Sequence, residues 1–359
     1  MIQTDRITLQ ELGWNETLQQ EFDSINNGYK IGRVAIEHKN MYRLYTCDGE
    51  ILASISGKMK HNAIGREDYP AVGDWVIIDK TRQEEGNAVI HGILSRKSKF
   101  SRKVAGNETE EQIIAVNVDT LFICMSLNND FNIRRLERYL IMAWDSESAP
   151  VVLLTKADLC DEIDRKIKEI ESVAFGVTVH VISSKNKTGV DELAQYISKG
   201  KTVAFLGSSG VGKSTLINLI IGEERLLTQE IREDDDKGKH TTTHRELILL
   251  PDGGLVIDTP GMREFHILDS SVGLESTFDD IEELALACKF NDCSHMNEPG
   301  CAVQRAIKEG ALTEKRFNSY IKLKKEAEFI ARKGNKKAQA SHKKEMKKFF
   351  NSVKNAKKI

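Results

Sequence analysis

Between Lys30 and about Val104 the chain alternates short apolar segments with turn signals: RVAIEH, MYRLYT, ILASISG and PAVGDWVII, with an Asp-Gly hairpin signal in CDGE. Strands this short and closely spaced predict a small β-barrel or sandwich. A five-stranded barrel of the oligonucleotide-binding kind (OB-fold) suits the length. Ahead of it, residues 1–29 read as a polar leader with one amphipathic patch, LQQEF, and no legible chemistry. At the barrel's end, RKSKFSRK sets five positive charges around Phe100. Such a segment suits either contact with single-stranded nucleic acid or a linker anchored by one ring.

From about Ile113 the pattern changes. TLFICMSL and PVVLLTKAD read as buried strands, and NIRRLERYLIMAW puts Ile133, Leu136, Leu140 and Trp144 on one helical face. DEIDRKIKEIESV reads as helix, VTVHVIS as strand, VDELAQYI as helix and KTVAFLG as strand. This alternation predicts a mostly parallel sheet with helices on both faces. A polar stretch from Gly222 to Arg245 follows, then two more strands, ELILL and GLVID.

Composition narrows the class. With 359 residues, 40% hydrophobic and 30% charged, the chain suits two or three globular domains. It has no run of about 18 apolar residues and no signal-peptide pattern, so a cytoplasmic protein without a membrane span is expected. The net charge of −2 hides a split. Residues 315–359 hold 16 Lys plus Arg against 3 Glu, and the remainder holds 36 against 51 acidic residues. A basic tail on an acidic body suits nucleic-acid contact, or otherwise a solvated helix. Cys47, Cys124 and Cys160 are scattered and read as reduced and structural.

The chemistry concentrates in a few segments. GSSGVGKST, residues Gly207, Ser208, Ser209, Gly210, Val211, Gly212, Lys213, Ser214 and Thr215, lies between a β-like run and a helix-like run. That context makes it a phosphate-binding loop, with backbone N–H groups and a helix N-terminus facing phosphate. Lys213 would reach the terminal phosphates and Ser214 would ligate magnesium. DTPG ends an apolar strand; Asp258 can hold magnesium, directly or through water, and the Gly261 N–H can bond the terminal phosphate. In HTTT, Thr243 can offer a hydroxyl to the same metal.

Upstream of all this, TKAD (Thr155, Lys156, Asp158) follows one strand and SSK (Ser183, Ser184, Lys185) follows the next. An Asp carboxylate accepts from guanine N1–H and N2 together, which adenine cannot match, so GTP and GDP are favoured over ATP. Finally, CKFNDCSHMNEPGC has the spacing C-x4-C-x-H-x5-C. Cys288, Cys293, His295 and Cys301 complete a four-coordinate structural zinc site with no open position. Two other readings are an ATP-using ATPase or kinase and a non-hydrolysing RNA-binding scaffold. Asp158 with SSK weighs against the first, and intact Lys213, Ser214 and Asp258 against the second.

The order TKAD, SSK, GSSGVGKST, HTTT, DTPG, then the cysteine–histidine cluster, resembles one family: the circularly permuted, small-ribosomal-subunit-dependent GTPases called RsgA or YjeQ. The resemblance spans nearly all of residues 30–330. It implies an OB-fold domain over 30–104, a circularly permuted α/β P-loop GTPase domain over 105–270, and a mainly helical zinc-binding domain over 271–330. Residues 331–359 form the basic tail. It further implies late maturation of the small subunit as the task, with ribosomal RNA as partner and hydrolysis stimulated by the subunit. A monomer is expected. Thr155 stands where the family usually has Asn, whose amide braces the pocket. Met262 stands where many GTPases carry a water-orienting Gln, which makes His240 the candidate for positioning water.

Overall fold

The computed structural model describes residues 7–25, 28–39, 41–83, 86–104, 107–224, 226, 245–259, 272–296 and 298–331. It divides into two compact units. The first comprises residues 1–102 and 111–265, and the second 103–110 and 266–359.

The first unit opens with helix α1 (Glu16–Ile25) and the barrel strands β1 (Lys30–His38), β2 (Met41–Thr46) and β3 (Gly49–Ile55). Helix α2 (Gly57–Asn62), β4 (Trp75–Ile78) and β5 (Ala88–Ile93) follow. The strands pair in the order β1-β2-β3-β5-β4, and β4 returns to β1 through Lys30↔Ile78 to Arg33↔Trp75, closing a five-stranded barrel. The CDGE hairpin forms as read, with Thr46 opposite Gly49. Val34, Leu44, Ile51, Val76 and Ile90 fill the interior.

The leader is more than a polar lead-in. Leu12, Trp14, Leu18 and Phe22 are buried, and the Trp14 ring meets Trp75 edge-on at 4.8 Å. Beneath them lies Arg33, 1% exposed, donating to the carbonyls of Leu12, Gly73 and Asn117. Burial pulls its guanidinium down to about 10, against the opposing pull of Asp119 and Asp74. One buried cation thus joins leader, barrel loop and the entry to the next sheet.

Strands β6 (Lys99–Val104) and β7 (Asn107–Val116) form a separate two-stranded ribbon, outside the barrel and across the expected boundary at residue 104. Phe100 is 1% exposed, which makes it the anchor of this segment.

The larger sheet contains β8 (Thr120–Ser126), β9 (Ala149–Thr155), β10 (Thr178–Val181), β11 (Thr202–Leu206), β12 (Glu246–Leu249) and β13 (Leu255–Asp258) in the order β10-β9-β8-β11-β13-β12. All neighbours are parallel except β12 with β13. Strand periodicity sends successive side chains to opposite faces. Leu121, Ile123, Val152 and Leu154 meet Leu136 and Leu140 of α3 (Ile133–Asp145), with Ile170 of α4 (Ile163–Glu171) in the same core. Phe122, Val151, Leu153 and Phe205 meet Leu216 and Ile217 of α5 (Lys213–Ile221) on the other side. The expected helix at VDELAQYI is instead a 3-10 turn over Asp191–Tyr196, which buries Leu193.

The second unit is helical: α6 (Val272–Thr277), α7 (Asp279–Leu286), α8 (Ala302–Glu309) and a helix described over residues 314–331. Arg316 pins the last of these. It donates to Asp280 at 2.9 and 3.2 Å and to the Thr277 carbonyl, with its guanidinium 4.1 Å from the Phe278 ring centroid. Among the described residues, no helix is long and apolar enough to cross a membrane.

Candidate nucleotide site and metal cluster

In parallel strands every carboxyl end lies at the same edge, where ligand-binding loops gather. Here β9 delivers Thr155, β10 delivers Ser183, β11 the phosphate loop, and β13 Asp258. The chain order of these loops does not matter to the edge they share.

The phosphate loop connects β11 to α5. Its first residue, Gly207, passes so close to β8 that a Cβ there would lie 2.6 Å from the Cys124 carbonyl oxygen. Gly212 enters α5 at φ +99°, a left-handed conformation that a side chain would strain. The Lys213 ammonium is buried and donates to the carbonyls of Gly207 at 2.8 Å and Ser208 at 2.7 Å. Burial lowers its pKa, opposed by the nearby Cys124, Asp258 and Asp130. Ser209 and Ser214 are half-buried, while Gly210 and Thr215 are exposed.

Asp258, 4% exposed, ends β13. Burial pushes its carboxyl up to about 6, although Lys213 pulls it down. The next residue, Thr259, donates its hydroxyl to the Phe205 carbonyl, tying this strand end to β11. An ammonium and a carboxyl that each feel the other thus lie at the mouth of the loop.

Two bonds draw the upstream motifs into the same site. The Thr155 hydroxyl, 1% exposed, donates to the carbonyl of Val211 at 2.6 Å. Thr155 therefore supplies a brace from its own side chain. Ser183 donates to Asp158 Oδ1 at 2.6 Å, and the Asn186 N–H returns to Ser183 Oγ at 3.2 Å. Asp158 is exposed yet aimed, beside the left-handed Lys156 at φ 58°. Ser184 and Lys185 occupy the turn after β10, which the Ser183–Thr188 bridge closes. His240, Thr243, Gly261 and Met262 lie outside the described residues. Sequence reading missed Asp130, which reaches Ser208 from the turn before α3 at 2.5 Å and belongs to no motif.

In the second unit the ligand atoms of Cys288, Cys293, His295 and Cys301 all lie within 4.8 Å of one another. Cys288 Sγ is 3.8 Å from Cys301 Sγ, and His295 Nδ1 is 3.5 and 3.6 Å from those two sulfurs. Zinc bonds of about 2.3 Å to sulfur and 2.0–2.1 Å to nitrogen, at tetrahedral angles, demand about 3.8 Å and about 3.6 Å. The donors fit that ion. The N-terminus of α8 helps: Ala302 N–H donates to Cys288 Sγ and Gln304 N–H to Cys301 Sγ, each at 3.4 Å. Such bonds favour thiolates, the form that binds metal.

Fold and site together define a P-loop GTPase of circularly permuted order, in which β9 and β10, with TKAD and SSK at their ends, precede the phosphate loop in the chain. A family model described as RsgA GTPase matches residues 93–268. A Lactiplantibacillus plantarum protein named "Small ribosomal subunit biogenesis GTPase RsgA 2" is 47% identical over 323 residues, 90% of each chain. An Oceanobacillus iheyensis protein, named as RsgA 1 of the same kind, is 45% identical over 89% of this chain and 91% of its own. The chain belongs to the RsgA family of GTPases. Two solved structures are similar as well. YjeQ from Thermotoga maritima has a TM-score of 0.60 at 29% identity, over 82% of this chain and 97% of that one. YloQ, described as a circularly permuted GTPase, has a TM-score of 0.60 at 25% identity, over 85% and 95%.

Proposed function

We propose that this GTPase binds the small ribosomal subunit through its RNA and acts in late maturation of that subunit, hydrolysing GTP to GDP and phosphate with stimulation by the subunit. The nucleotide part rests on one observation above others: the Thr155–Val211 bond joins the guanine-selective loop to the phosphate loop. Asp158 reads guanine, the amides of Gly207–Gly212 and Lys213 take the phosphates, and Ser214 with Asp258 holds magnesium, directly or through water. Thr243 and Gly261 complete the metal and terminal-phosphate contacts, and His240 positions water. Magnesium supplies charge neutralisation between the phosphates.

The ribosomal part is supported by the names of relatives 45–47% identical to the chain, and by the basic tail. In the second unit, zinc held by Cys288, Cys293, His295 and Cys301 is structural, since four protein donors leave no position for water. The protein works as a monomer in the cytoplasm. Turnover of GTP and of ATP, each with and without purified small subunits, tests the whole reading. GTP-selective turnover that rises with subunits is expected; indifference to subunits would remove the maturation role.

A further inference from the structure

Ser208 is gripped at both of its polar ends. Its carbonyl accepts from the Lys213 ammonium at 2.7 Å, and its hydroxyl donates to Asp130 Oδ2 at 2.5 Å. The same carboxylate oxygen takes an Arg135 guanidinium N–H at 2.7 Å, and that nitrogen lies 3.2 Å from Ser208 Oγ. One NH2 group of a guanidinium has two hydrogens, so it can serve both oxygens and close a ring of three groups. The ring stands on fixed ground. Asn132 caps α3 by accepting from the Arg135 N–H at 3.0 Å, and Asn128 Oδ1 accepts from the Ser126 hydroxyl at 2.7 Å and the Asp130 N–H at 3.0 Å.

When phosphate enters, Lys213 must turn from the Gly207 and Ser208 carbonyls to the incoming charge. A loop held by Lys213 alone would lose its shape at that moment. We propose that Asp130 and Arg135 are positioning residues that hold the phosphate loop through Ser208 independently of Lys213. Arg135 has a second effect: it neutralises Asp130, so that no bare carboxylate stands beside a triphosphate. This inference rests on the assignment of Gly207–Thr215 as the nucleotide site.

The test combines hydrogen exchange of the amides of residues 208–211 in nucleotide-free protein with GTP kinetics and GDP affinity. Ser208→Ala and Asp130→Ala should each speed that exchange and weaken nucleotide binding roughly three- to tenfold, as loss of one or two hydrogen bonds implies. The loss should fall on KM rather than kcat, because the loop contacts phosphate before and during the reaction. The double variant should be little worse than either single one, since both remove the same link. Arg135→Ala should weaken binding more than Ser208→Ala, and adding Asp130→Ala should recover part of that loss. Unchanged exchange, additive losses, or a fall in kcat at constant KM would overturn the proposal. If exchange responds as expected but wild type binds no guanine nucleotide, the clamp stands and the nucleotide assignment falls.

Discussion

The Thr155 hydroxyl donates to the carbonyl of Val211 at 2.6 Å, so two loops 56 residues apart in the chain share one buried hydrogen bond. Thr155→Val keeps the branched shape and deletes the donor, leaving a loop carbonyl without it. A cost of about 1–2 kcal/mol is expected, or roughly tenfold in GTP and GDP affinity. Thr155→Ser should retain most of the binding. Equal affinities for all three proteins would mean that the bond does not brace the pocket.

Asp158→Asn should exchange the preferred base. In the proposed site the carboxylate would accept two guanine N–H groups, and hydrogen bonds to a charged group contribute roughly 1.5–3 kcal/mol each. Asparagine turns one acceptor into a donor facing the guanine amino group, whereas xanthine has a carbonyl there. GTP binding should fall about 10²-fold or more on that scale, and XTP should take its place. Competition of the two nucleotides in wild type and variant checks this; a variant that still prefers GTP would remove Asp158 from the role.

Magnesium dependence should carry the signature of Asp258. Burial raises its folded pKa from the ordinary carboxylate value of 3.8 to about 6, so the carboxyl takes up a proton as pH falls through about 6. A metal needs the ionised form and competes with that proton. Turnover measured at low magnesium should decline with an apparent pKa near 6, and more magnesium should move the midpoint downward. The same raised pKa means that the apo fold loses stability as pH rises from about 4 to about 6, because the folded state binds the extra proton there. A pH profile indifferent to magnesium would refute the assignment.

Cys293→Ser should release zinc and unfold the second unit while the GTPase sheet stays folded. Structural zinc of this kind contributes on the order of 10–16 kcal/mol. Metal analysis and circular dichroism of the variant check it; a full equivalent of zinc retained would refute the ligand set.

Arg33→Met tests the buried cation under the leader. It strips a donor from the carbonyls of Leu12, Gly73 and Asn117. Gly73 keeps the Asn117 side-chain amide at 3.0 Å, while the other two lose this partner. Unpaired buried acceptors are costly, so a loss of roughly 3 kcal/mol is expected. Urea unfolding measures it, and a midpoint within error of wild type would show that the Leu12 and Asn117 carbonyls find other partners.

Sequence alone made the phosphate loop legible because its chemistry is local: glycines, a lysine and a helix start within nine residues. The strands were legible for a similar reason, since runs such as TLFICMS are apolar on both faces. What stayed hidden depends on partners far away in the chain. Arg33 sits in a strand as any exposed arginine would, and only closure of the barrel against Asn117 shows that it is buried. Trp14 looked like part of a polar leader until Trp75 supplied its other half. Strand β7 begins NETEEQ, which carries no apolar alternation to read. Asp130 and Thr155 hold the phosphate loop across separations of 78 and 56 residues, and neither has a motif of its own for that task.

Strand β12 carries a final consequence. Glu246 is the backbone partner of Ile36 on one side and of Asp258 on the other. The barrel and the nucleotide-binding sheet are therefore spliced like planks through a shared board, rather than hung from a cord. A displacement of the barrel wall at Ile36 would pass to β12 through this pairing. One strand further on it meets the residue assigned to the metal, so load and chemistry lie in series along a single hydrogen-bonded row.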